Sequence, residues 1–154
     1  MPQTTDAIPR SCAMVQIASD CVTWTDISGS TQSLSDATQE RMIGVAYTLD
    51  GDTAIGGAGK REPMVLKFTI VYTENDVEAY DLARAIFEAE GCEHQMCVRW
   101  SPGGGDAGDD MITTADGSIL IGFEYPPVDA ATAGPIMTTF TIWAPYVGTE
   151  TLLT

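Results

Sequence analysis

Apolar residues recur at every second position along much of this chain, and one stretch with a different period interrupts them. Leu66, Phe68, Ile70 and Tyr72 alternate with Val65, Lys67, Thr69 and Val71. That period puts one mainly apolar row on one face of a strand. The spacing then changes. Thr73 followed by Asp76 resembles a capping box with Asp in the acidic place, and Asn75 is an equally good N-cap. From Val77 to about Ala89 the residues favour helix, and Ala79, Leu82, Ala83, Ile86 and Phe87 share one stripe, so a helix is predicted over 76–90. Gly91 supplies the stop. Met96, Val98 and Trp100 alternate again, closed by Pro102 and the glycines at 103–105. The pattern predicts an amphipathic helix carried between two strands and laid against the sheet they help to form.

The flanking regions are richer in turns. Residues 1–13, with Pro2 and Pro9, read as an extended arm. Val15 and Ile17 mark a first strand, Asp20 and Cys21 a turn, and Val22 to Ile27 a second strand ended by Ser28-Gly29-Ser30. Residues 30–62 form a long excursion, either a flexible loop or a protruding hairpin, with too little apolar content for a core of its own. Asp50-Gly51 within it and Asp116-Gly117 further on are both two-residue hairpin turn signals. Met111 to Thr114 is a short strand, and Ile119, Ile121, Phe123 and Tyr125 alternate up to the break at Pro126-Pro127. The last clear strand runs from Ile136 to Ala144, with Ile136, Thr138, Phe140 and Ile142 on one side. Together these predict one domain over 1–154 that is mainly β with one flanking helix. Its α+β architecture is two packed antiparallel sheets forming a sandwich or barrel.

Charge narrows the functional classes. Twenty-two acids oppose 7 bases, a formal −15. Arg41, Lys60, Arg61 and Lys67 cluster mid-chain, no base follows Arg99, and the last third is acidic throughout. Such a surface disfavours a grip on DNA or on an anionic membrane. No stretch is apolar enough to span a bilayer, and the N-terminus does not read as a signal peptide. With no CxxC pair among Cys12, Cys21, Cys92 and Cys97, reduced cytosolic thiols are expected, a Cys92–Cys97 disulfide being the alternative.

The inventory of reactive groups is thin. The lone histidine, His94, lacks a sequence context that places a nucleophile and an acid beside it, so no catalytic residue is assigned. Gly103-Gly104-Gly105 lacks the Lys and Ser/Thr of a phosphate loop and is followed by Asp106, Asp109 and Asp110. Those aspartates, or Asp50 and Asp52, offer oxygens to calcium but match no EF-hand pattern, so no metal and no cofactor are expected. Trp24, Trp100, Trp143, Tyr47 and Tyr125 leave open a sugar-binding face, and a glycosidase-like carboxylate pair is invisible to sequence spacing.

The order of motifs resembles the tail tube, or major tail, proteins of long-tailed bacteriophages. The resemblance rests on Tyr72-Thr73-Glu74 ahead of the helix, Arg99-Trp100-Ser101-Pro102-Gly103, and Val128-Asp129-Ala130 through Phe140, in order from about Val15 to Trp143. It implies a structural subunit of the virion tail, made in the host bacterial cytoplasm, that assembles with itself into stacked rings, usually of six. Neighbouring sheets join around a lumen that conducts DNA, and residues 30–62 reach the adjacent ring. The tube surrounds a tape-measure protein and meets tail-end proteins. Two expectations follow for this chain. Arg41, Lys60 and Arg61 are expected to pair with acids of an adjacent ring. Asp106, Asp109, Asp110, Asp116, Glu124 and Asp129 are expected to line part of an acidic lumen that repels DNA phosphates across a gap of about one Debye length, about 8 Å. The competing readings are a monomeric carbohydrate-binding sandwich, a hydrolase, and a tube subunit of a contractile injection device.

Overall fold

The strongest alternation in the chain builds the centre of the molecule. In the computed structural model, which describes residues 12–131 and 133–153, β6 (Met64–Val71) and β10 (Met137–Ala144) pair antiparallel along their full length. Met64, Leu66, Phe68 and Ile70 face inward opposite Ala144, Ile142, Phe140 and Thr138, and all are buried. The outward rows carry Lys67, Thr69, Thr139 and Thr141, with Thr69 and Thr139 joined through their hydroxyls at 3.1 Å. β3 (Thr31–Ser35) and β9 (Ile119–Phe123) complete a four-stranded sheet in the order β3-β6-β10-β9.

A second, five-stranded sheet packs against it. Its order is β11-β8-β7-β1-β2, from β1 (Met14–Ala18), β2 (Thr25–Asp26), β7 (Cys97–Ser101), β8 (Asp110–Thr114) and β11 (Val147–Thr151). Val15 and Ile17 lie opposite Trp100 and Val98 on its inner face, and together with Phe68, Phe140 and Ile142 they form the core between the sheets. Burying each such side chain contributes about 1.5–3 kcal/mol. The expected sandwich with one flanking helix is present, and neither sheet closes on itself.

Several local expectations are corrected. The helix, α1, runs Ala79–Glu88 rather than 76–90. Val77 has φ 67°, a left-handed conformation that ends helical propagation, so neither Asn75 nor Asp76 caps it. Glu78 occupies the cap position instead, its carboxylate accepting hydrogen bonds from Thr73 and from Asn75, which hold it below the usual carboxylate range. The strands on either side of the helix belong to different sheets, and α1 packs on β9 and β6 of the four-stranded one. Tyr80 meets Tyr72 edge-on and Phe87 stacks on Phe123, which stacks on Phe140. The second strand shrinks to Thr25–Asp26, and β11 was missed altogether.

Two turn signals change meaning. Asp116-Gly117 does not close a hairpin: β8 and β9 lie in different sheets, and the turn, with Gly117 at φ 88°, is a corner between them. Asp50-Gly51 lies within a longer connection, residues 47–54, because the paired residues nearest the tip are Ala46 and Ile55. In β9 the simple alternation fails at a bulge. Thr141 faces Gly122, but the next residue, Ile142, faces Leu120, so Leu120 is buried and Ile121 turns out to solvent. Glycine is required at 122, because a Cβ there would sit 2.9 Å from the Thr141 Cβ.

Of the excursion assigned to 30–62, the first part is strand β3 within the sheet. The free-standing part is a hairpin of β4 (Arg41–Ala46) and β5 (Ile55–Arg61) that pairs with no other strand among the described residues. Gln39 fastens its base. The Gln39 amide donates to the Glu62 and Pro145 carbonyls at 3.1 and 3.3 Å, and its oxygen accepts the Val147 N–H at 3.4 Å. Gln39→Ala is expected to speed amide exchange at Val147 roughly 5–30-fold, from about 1–2 kcal/mol of lost bonding, and native-state hydrogen exchange reads it directly. Of the arm assigned to 1–13, all but Cys12 and Ala13 lies outside the described residues.

Candidate assembly surface

The hairpin is the surface that the rest of the chain leaves unexplained. Every residue of β4 and β5 is exposed. Ile43 stands opposite Ala58 and Val45 opposite Gly56, so the two larger side chains project over small neighbours. Ile43, Val45, Ile55, Tyr47 and Leu49 are 76%, 57%, 60%, 76% and 107% exposed. A two-stranded hairpin in water is marginal by itself. Gly56, Gly57 and Gly59 in β5 weaken it further. A projecting ribbon with an apolar face is the form taken by a segment that docks on another surface.

Its charges point the same way. Arg41 lies directly opposite Arg61 across the ladder, a like-charge pairing that is unfavourable within one chain. Among the described residues, the Arg41 and Arg61 guanidinium groups donate to the backbone carbonyls of Gly59 and Val147, at 3.1 and 3.3 Å. Among the described residues the ion pairs are Lys67–Asp36 and Arg84–Asp81, so Arg41, Lys60 and Arg61 have no carboxylate partner although acids outnumber bases threefold. The cross-strand arginine pair was illegible in the sequence because a register shift between Arg41 and Ile43 sets it.

Each sheet is flanked by strands that pair with another strand on one side alone, although the outer side of β9 is partly taken by residues 94–96, where the Leu120 N–H donates to the His94 carbonyl at 3.0 Å and the Met96 N–H to the Ser118 carbonyl at 2.9 Å. β11 and the two-residue β2 flank one, and β3 and β9 flank the other. Such rows of unpaired backbone groups template pairing with further strands. On its inner side β11 stays joined to the chain before β8 past Thr151, where the Leu152 N–H donates to the Asp109 carbonyl and the Gly108 N–H to the Leu152 carbonyl, both at 2.8 Å.

The acids expected to line a lumen are spread over the molecule. Asp109 turns inward, its carboxylate accepting the Gly105 and Asp106 N–H groups at 3.2 and 3.0 Å, so it shapes the loop that also holds exposed Asp106. Asp110 opens β8 and accepts the Thr151 hydroxyl at 2.9 Å. Asp116 lies two residues beyond the other end of that strand, and Glu124 follows β9, accepting the Thr139 N–H at 2.9 Å. Asp129 accepts the Ala131 N–H at 2.9 Å in an exposed loop. Asp50 and Asp52 are exposed near the hairpin tip.

The other singled-out groups have structural surroundings. The His94 ring nitrogens lie 2.9 and 3.1 Å from the Ile86 and Gly91 carbonyls, at the C-terminal end of α1. The aromatic residues do not converge. Trp100 packs against the core and Trp143 lies on the outer row of the other sheet. Trp24 lies under the Arg99 guanidinium at 4.5 Å, Tyr47 lies near the hairpin tip, and Tyr125 donates to Glu88.

The cysteines overturn the expectation of reduced thiols. Cys21 and Cys97 form a disulfide, while Cys12 and Cys92 are free and exposed. Asp20 shapes the turn that presents Cys21. Its carboxylate accepts the Thr23 and Val22 N–H groups at 2.7 and 2.9 Å, which bring its pKa down from 3.8 to about 2. A lowered carboxylate pKa contributes stability above the ordinary value and loses it as pH falls through the folded one. Asp20→Ala is therefore expected to lower Tm at neutral pH, with the gap to the parent closing as pH falls from 3.8 to about 2. Thermal melts across that window check it.

Two face-to-face antiparallel sheets with a helix on one flank are a fold shared with chains of tail-like particles. A chain of the anti-feeding prophage tube-terminating cap superposes with a TM-score of 0.73 at 12% identity, over 98% of this chain and 95% of that one. A chain of the sheath/tube terminator of the PVC extracellular contractile injection system, in its extended state, gives 0.74 at 13% identity, over 96% and 99%. A chain from the tail of an empty gene transfer agent particle, computed with C6 symmetry, gives 0.61 at 12% identity, over 94% and 99%. No protein-family model matches the chain. No curated protein matches it either.

Proposed function

We propose that this chain is a structural, non-catalytic subunit of a tail tube or tail-like injection tube. It completes its open sheet edges with copies of itself in a ring, and its hairpin reaches a neighbouring copy. The observation that carries this reading is the hairpin: a wholly exposed ribbon with an apolar face and cations that meet no carboxylate among the described residues, on a fold whose strands β2, β3 and β11 each pair with another strand on one side alone. Ring closure joins edges without sideways growth, and head-to-tail stacking of rings gives a filament. The fold shared with a chain from a C6-symmetric tail supports a sixfold ring. Arg41, Lys60 and Arg61 meet acids of the next ring. The exposed acids, led by Asp106, Asp116 and Asp129, face a lumen through which DNA passes unbound, and tape-measure and tail-end proteins are the further partners. The likeness to cap and terminator chains of contractile systems favours a second form of the reading, a subunit of a sheathed device.

Negative-stain microscopy and sedimentation of the pure chain test the proposal. Rings or tubes are expected; small single particles at every concentration would refute it. Reversing Lys60 and Arg61 to Glu together is expected to shorten or abolish tubes, each lost or reversed pair removing about 0.5–1 kcal/mol per contact. Tube length measured by microscopy reads the effect.

A further inference from the structure

We propose that Cys21, Cys97 and Asp116 form a redox-gated site for a thiophilic divalent cation, zinc by preference, closed while the two sulfurs are joined and open once they are reduced. Both sulfurs and a carboxylate oxygen of Asp116 lie within 4.8 Å of one another. The three residues come from separate places in the fold: the turn after β1, the first position of β7, and the corner between the sheets.

Each backbone is held in place independently of the disulfide. Cys21 sits at φ 58° in the turn bonded by Asp20. Cys97 is fully buried opposite Ala18 in the β1–β7 ladder. The corner that carries Asp116 is fixed by the Ser118 hydroxyl donating to the Ala115 carbonyl at 2.6 Å and by the Ala115 N–H donating to Tyr146 at 3.0 Å. Asp116 itself is exposed, so its side chain can turn to meet an ion.

A structural staple has no use for a carboxylate beside its sulfurs, and a carboxylate is a poor neighbour for a thiolate. A divalent cation satisfies all three groups. Tetrahedral zinc takes thiolate at about 2.3 Å and carboxylate at about 2.0–2.2 Å, which places two ligating sulfurs roughly 3.7 Å apart. Small rotations of the cysteine side chains reach that separation from the present cluster. Soft sulfur ligands select zinc over magnesium or calcium. The fourth position goes to water. Gln95, whose amide donates to the Cys21 sulfur at 2.9 Å, also lines a neighbouring cleft of about 620 Å³.

The chemistry balances with a dithiol as reductant. The dithiol breaks the protein S–S bond, becomes a cyclic disulfide, and leaves its two protons and two electrons on the cysteines. Zinc then displaces both protons as two Zn–S bonds form. A small-molecule disulfide reverses the sequence: it takes back the electrons, is itself reduced to two thiols with two protons from solvent, and releases the ion.

The test uses the full chain with Cys12→Ser and Cys92→Ser, so that only the internal pair is left. Cobalt(II) is titrated into the oxidised chain and into the chain reduced with dithiothreitol and desalted under argon. We expect one equivalent of cobalt with a thiolate charge-transfer band in the reduced chain, none in the oxidised chain, displacement by zinc, and a rise in Tm of the reduced chain with added zinc. Asp116→Asn, a change at an exposed position, is expected to weaken binding at least roughly tenfold, the loss typical even of an outer-shell partner. No thiolate band in a reduced chain shown to be folded by circular dichroism would overturn the proposal, as would a reduced chain that is unfolded and that added zinc does not refold, or unchanged affinity in Asp116→Asn.

Discussion

Replacing Ile43 and Val45 together with Ser is expected to abolish assembly while leaving the isolated subunit as stable as the parent. Both side chains are more than half exposed on a hairpin that pairs with no other strand among the described residues, so folding of one copy gains little from them. If they are buried against a neighbouring copy, each contributes about 1.5–3 kcal/mol there. The double change then removes about 3–6 kcal/mol per contact, roughly 10²–10⁴ in its dissociation constant. In a ring and stack this loss recurs at every subunit, which turns it into the absence of tubes. Sedimentation velocity reads assembly and urea unfolding reads the monomer. Normal tubes would show that the hairpin face is not an interface. A large fall in monomer stability would show that it belongs to the subunit's own core.

Reducing the Cys21–Cys97 bond is expected to have the second largest effect. The linked residues are 76 positions apart. In the chain-entropy description a loop of that size stabilises the folded state by about 4–5 kcal/mol. Typical domain stabilities are about 5–15 kcal/mol, so this bond can be a third or more of the total. It ties the turn after β1 to the start of β7 at the centre of the five-stranded sheet. Urea unfolding with and without reductant, in the Cys12→Ser and Cys92→Ser background, should show a clear fall in midpoint with reductant. An unchanged midpoint would mean that the link constrains little in the unfolded chain.

The parts of this fold that could be read from sequence are those whose pattern is local and whose burial is one-sided. The inward rows of β6 and β10 alternate without interruption, and both were legible residue by residue. The helix stripe was legible too, but its start was not, because Val77 adopts a left-handed conformation that its residue type disfavours. Asp-Gly is the same turn chemistry whether it closes a hairpin or makes a corner, and only sheet membership decides. β11 has no apolar alternation because it is an exposed edge defined by its partner, β8. The disulfide joins cysteines whose closeness depends on β1 and β7 pairing, which spacing along the chain does not encode. For the assembly surface, the projecting hairpin was one of two options open to residues 30–62. The Arg41–Arg61 juxtaposition that gives it chemical character depended on a register shift.

The glycines of β5 bear on how a tube would start. A ribbon that gains most of its order from the surface beneath it adds easily to an end that already exists. It does so poorly when two free subunits meet, because each must then organise the other. A pool of this chain would therefore remain dispersed until a seed appears, and growth would follow from few initiation points rather than many. Tube number would track the supply of seeds, and tube length the supply of subunits.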